Sequence, residues 1–106
     1  MAELIKVAEV GEVSPGEGKV VVVKGMEVVL LNVDGKIYAL DNICPHAAFA
    51  LGEGTVEGDI IICPGHALEY KIPTGECLTD WGKDEGIESV DSYPVVVEGN
   101  DIKISF

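Results

Sequence analysis

Cys44-Pro45-His46 and, sixteen residues on, Cys63-Pro64-Gly65-His66 hold both histidines of the chain and two of its three cysteines. Thiolate and imidazole are borderline-soft ligands, and four of them within reach of one another suit zinc or an iron-sulfur centre. A structural zinc site commonly takes two cysteines from one knuckle and two histidines from another. Here each stretch supplies one of each. A single tetrahedral ion has no need of that mixing, although it does not forbid it. Two metal ions side by side would explain it, with a loop reaching over from either side.

These stretches must be carried by strands. Residues 3–10 alternate loosely and read as a first strand, followed by a loop over 11–18. Residues 19–24 and 26–33 read as two strands separated by Gly25. Asp34-Gly35 between apolar flanks predicts a two-residue type I′ hairpin, in which both central residues take positive φ. Residues 37–40 form the strand that leads into Cys44. The segment 45–58 is too rich in glycine and small residues for a regular element, with Gly52, Gly54 and Gly58 marking turns. Residues 59–64 are a short buried strand ending at Cys63, and 67–72 pair back, so the second Cys-His stretch tips a hairpin. Residues 73–77 turn again, residues 79–92 form an acidic loop around Trp81, and the chain closes as a hairpin over 93–106. Pro94 belongs at a strand start or edge, where its missing N–H costs little.

The composition agrees. A chain of 106 residues has room for one domain, spanning residues 1–106, and its Val and Ile content with thirteen glycines and five prolines favours an all-β architecture. No apolar run is long enough for a membrane anchor or a signal peptide, so no membrane association is expected and the cytoplasm is the expected location. Nineteen acidic residues against seven lysines leave a formal charge of -12. Such a surface repels nucleic acid and anionic lipid and attracts basic protein faces. Three cysteines do not suggest a secreted disulfide framework. Cys77 fits neither ligand stretch and reads as a small buried hydrophobe. Trp81 reads as a cover for the base of the domain.

The spacing C-P-H, sixteen residues, C-P-G-H resembles the Rieske [2Fe-2S] signature, in which two histidines replace two cysteines on one of the irons. Residues 51–66, the following Tyr70 to Gly75 and the C-terminal hairpin are also similar to that family, from about Val20 onward. The resemblance implies an antiparallel β-sandwich base with a small cluster-binding subdomain of two loops, approximately residues 43–78. It implies a [2Fe-2S] cofactor held by Cys44 and Cys63 on one iron and by His46 and His66 on the other. A zinc-stabilised interaction module, or a small redox subunit of another oxidoreductase, is the alternative.

High-potential members of the family carry an extra cysteine in each ligand loop and a serine two places after the second histidine. Phe49, Gly65 and Leu68 stand at those positions here, so the chain is similar to the soluble low-potential ferredoxins. The implied role is one-electron carriage from a flavin-dependent ferredoxin reductase to a terminal oxygenase of an aromatic-ring dioxygenase or related system, with no catalytic site of its own. A monomer in solution is expected. Tyr70 aligns with a tyrosine that bonds a ligand sulfur in high-potential members. The plainer reading of it is a packed ring with its hydroxyl in water. Pro45, Ala47, Ala48, Phe49, Pro64, Gly65 and Ala67 surround the ligands with uncharged side chains, which suits a brief docking contact.

Overall fold

Strand β3 (Met26–Val33) buries five consecutive residues, Val28 to Asn32, where a strand with one wet face would bury only alternate ones. Both of its faces are therefore covered. It is central to a four-stranded antiparallel sheet in the order β2 (Gly18–Val23), β3, β4 (Lys36–Asp41), β8 (Ser92–Tyr93). On one face Val28, Leu30, Ile37 and Ala39 pack with Ala8, Ile102 and Ile104. Those three come from an outer sheet of β1 (Leu4–Glu9), β10 (Asp101–Ser105) and β9 (Val95–Glu98). On the other face Val29, Leu31 and Leu40 pack with Ile61, Tyr70 and Ile72. Ile61 and Tyr70 belong to a third sheet, β5 (Thr55–Glu57), β6 (Ile60–Ile62) and β7 (Glu69–Lys71).

This is a computed structural model, and it describes residues 3–43, 50–64, 68–79 and 89–105. Among them there is no α-helix, and none could cross a membrane. The all-β expectation holds, and the arrangement is a sandwich of two sheets with a third, smaller sheet laid on its far side.

The hairpins explain the register. Asp34 and Gly35 take φ of 53° and 91°, the left-handed pair that a type I′ turn requires. Lys24 and Gly25 do the same at 51° and 83°, so Gly25 is half of a second such turn, with Val23 opposite Met26. Pro94 precedes β9, at the strand start expected for it. Two expectations need correction. Residues 45–58 are not wholly irregular, since a 3-10 turn spans Leu51–Glu53 and β5 follows it. The loop expected over 79–92 ends earlier, because Ser89 bridges Glu76 and Ser92 already pairs with Leu40. Trp81 lies outside the described residues. The 3-10 turn, β5 and β8 are each two or three residues long, too short for local periodicity to reveal, and β8 also depends on pairing with β4, distant in the chain.

Candidate metal centre

Cys63 directly follows β6 and is 2% exposed. The β6–β7 ladder sets Ile61 opposite Tyr70 and Ile62 opposite Glu69. One step further, the Cys63 N–H donates to the Leu68 carbonyl at 2.8 Å. β6 and β7 thus pair back on each other as the sequence suggested, while the expected tip over residues 65–67 lies outside the described residues. Side chains alternate across a strand, so Ile61 and Cys63 point to one face with Tyr70 and Leu68 across from them. All four are buried in a single cluster.

The other stretch leaves from the end of β4. Ile43 and Ala50 form an antiparallel bridge that brings the two flanks of residues 44–49 together as a narrow neck. Leu51, just past the neck, is fully buried in the same cluster as Cys63 and Leu68. Burying a leucine contributes about 1.5–3 kcal/mol, so each loop is anchored by an apolar residue on its flank. The two roots also touch. A Cβ on Gly54 would overlap the carbonyl oxygen of Ile62, the residue before Cys63. Glycine at 52 and 54 is required by space rather than by turn geometry, since neither takes positive φ; Gly58, at 61°, is the true turn residue.

Of the four sequence-predicted ligands, only Cys63 lies among the described residues. Cys44, His46 and His66 lie outside them, as do Pro45, Ala47, Ala48, Phe49, Gly65 and Ala67. What the described residues supply is a buried thiol just past β6, and a returning leg at Gly54 that rests against Ile62, the residue before that thiol. A thiol shielded from water, in a chain whose other Cys-His residues supply thiolate and imidazole, is of the donor chemistry that suits an iron-sulfur group.

Tyr70 is fully buried, which overturns the reading of its hydroxyl as pointing to water. Cys77 is likewise fully buried and bridges Tyr70 in the backbone, with its Sγ 3.8 Å from the Thr79 carbonyl, as suits a packed thiol. On the opposite edge, burial raises the Tyr93 phenol above its ordinary pKa, with help from the carboxylates of Asp41 and Asp91. It stays neutral through the physiological range.

The sequence reading missed Asn42, two residues before Cys44. It is 1% exposed, and among the described residues it and Asn32 are the buried polar side chains. Its position at a strand end, ahead of a glycine-rich segment, was the available signal.

Comparison with known proteins places these features. The family model described as the Rieske [2Fe-2S] domain matches residues 3–94. The ferredoxin component of a naphthalene 1,2-dioxygenase system from Pseudomonas aeruginosa is 36% identical over 93 residues, 88% of this chain and 86% of that protein. The ferredoxin component of the naphthalene 1,2-dioxygenase/salicylate 5-hydroxylase systems of Ralstonia sp is 42% identical over 85 residues, 77% of each. Among solved structures, the Sphingomonas yanoikuyae B1 ferredoxin aligns with a TM-score of 0.87 at 28% identity, covering 98% of this chain and 99% of that one.

Proposed function

We propose that this chain, which belongs to the Rieske [2Fe-2S] domain family, is a cytoplasmic, monomeric electron carrier that takes one electron from a flavin-dependent ferredoxin reductase and delivers it to a terminal oxygenase. The relatives named as ferredoxin components of dioxygenase systems support this role. The observation that carries it is the pair of Cys-His stretches inside the matched span, their flanking residues rooted in one buried cluster.

Cys44, His46, Cys63 and His66 would hold the cluster, within a unit of approximately residues 43–78. A [2Fe-2S] group with two histidine ligands supplies a reversible one-electron couple at a higher potential than an all-cysteine one. The chain contributes the rest. Leu51, Ile61, Leu68 and Tyr70 keep water from the inner wall beside Cys63. The uncharged residues of the loop tips allow close approach of a partner, and the acidic body steers them toward basic faces.

Anaerobically purified protein should contain two irons and two acid-labile sulfides per chain, with a potential between about -150 and 0 mV. Its reduction by a ferredoxin reductase of such a system should slow as salt is raised. Zinc in place of iron, or a potential above about +150 mV, would refute the assignment.

Tyr70 should tune that potential. A fully buried phenol on the cluster-facing side of β7 must satisfy its O–H inside the protein, and donation to a ligand sulfur would favour the electron-rich reduced form. A net bond of about 0.5–1.5 kcal/mol corresponds to roughly 20–65 mV for one electron. Tyr70→Phe should therefore lower the potential by about that amount in protein-film voltammetry. An unchanged potential would place the hydroxyl's partner elsewhere.

A further inference from the structure

Asn42 has every polar group engaged, two bonds going to the returning leg of the first ligand loop and two to Glu27 of β3. Its backbone N–H donates to the Glu27 carbonyl at 3.1 Å, and its own carbonyl accepts from the Leu51 N–H at 2.6 Å. Its side-chain Oδ1 accepts from the Gly52 N–H at 2.8 Å, while Nδ2 donates to Glu27 Oε1 at 2.9 Å. The outgoing end of the loop, two residues before Cys44, is thereby fastened to the returning leg at residues 51 and 52. Both are fastened to β3.

The chemistry of the position is narrow. One side-chain atom must accept from a backbone N–H and the other must donate to a carboxylate, which an amide does and an ionised aspartate cannot. A Cβ at Gly52 would sit 2.5 Å from Val20 Cγ2 and 3.0 Å from Asn42 Oδ1, so glycine is what lets that N–H come within range.

We propose that Asn42 and Glu27 are positioning residues for the first ligand loop, a lock at its neck that holds Cys44 and His46 in place through the backbone on both sides. This rests on the reading of Cys44 and His46 as cluster ligands. Neither Asn42 nor Glu27 is a ligand in that reading; they act by stopping residues 43 and 50 from parting.

The test is an exchange of the pair's chemistry. Glu27→Gln keeps an acceptor for Asn42 and should behave as wild type. Asn42→Asp sets two carboxylates against each other at the neck, and cluster loss to a chelator, followed by visible absorbance, should be about tenfold faster. The electron paramagnetic resonance lines of the reduced protein should broaden as the histidine ligand takes several orientations. The double variant Asn42→Asp/Glu27→Gln restores the bond between positions 42 and 27 with donor and acceptor exchanged: the amide now at position 27 can donate to the carboxylate now at position 42, which accepts from the Gly52 N–H as the asparagine did. It should return the loss rate to within about threefold of wild type, and the spectrum with it. If Asn42→Asp does not fold, the double variant decides alone and must hold its cluster as wild type does. Asn42→Asp losing its cluster at the wild-type rate, or a double variant no better than the single one, would overturn the positioning role. Wild-type protein lacking the resonance would instead overturn the electron-carrier reading, so the two failures are distinguishable.

Discussion

Cys63→Ser protein should be colourless, with iron and acid-labile sulfide at background, while Cys77→Ser protein keeps its full cluster. The two cysteines are equally hidden, at 2% and 0% exposure, and burial alone does not tell them apart. Their positions do. Cys63 directly follows β6, with its N–H donating to the Leu68 carbonyl. Serine there removes a thiolate, the ligand that iron requires, and a hydroxyl stays protonated and binds the metal poorly. Cys77 lies beyond β7, its sulfur near the Thr79 carbonyl. A serine hydroxyl can find that same acceptor, so its cost is that of a polar group in an apolar site, about 1–3 kcal/mol. Thermal unfolding adds a second readout. Cys63→Ser should fall to the midpoint of the apoprotein, because a group bound only by the native state no longer stabilises it. Iron retained by Cys63→Ser, or lost from Cys77→Ser, would reverse these roles.

Gly54→Ala should be strongly destabilising. Gly54 has φ of -80° and ψ of -172°, backbone that any residue adopts, so strain is not the reason. Space is. The added Cβ would overlap a backbone oxygen at Ile62, which cannot swing aside as a flexible side chain could. Relief requires the returning leg of the first loop to lift off β6, separating the roots of the two ligand loops. Overpacking in a well-packed site costs about 1–3 kcal/mol and more when backbone must move. At about 3 kcal/mol, a domain of this size loses on the order of 15 °C in unfolding midpoint. Poor cluster retention should accompany it. Gly11→Ala is the control: nothing lies within 4 Å of its Cβ position and φ is not positive, so stability should be unchanged or raised by up to about 1 kcal/mol. Equal midpoints for the two variants would show that the loop roots tolerate separation.

What the sequence determined on its own was local. The spacing within each Cys-His stretch, the Asp34-Gly35 turn, the β6–β7 hairpin and the closing hairpin with Pro94 at its start all depend on residues within a few places of one another. Turn dihedrals and strand alternation are set at that range, so each could be read directly. Tertiary structure decided the rest. β3 buries both faces because one sheet built from the two ends of the chain and another built from its middle cover it, and β1 finds β10 nearly a full chain length away. Tyr70 loses its solvent because residues as distant as Val29 and Val90 close over the same cluster. Asn42 and Gly54 matter for one hydrogen-bonding atom and one missing methyl, and their partners Glu27 and Ile62 lie 15 and 8 residues away in sequence. A chain pattern records which groups want burial or a partner; only the packed molecule settles which partner comes within 3 Å, because that distance is fixed by every other contact at once.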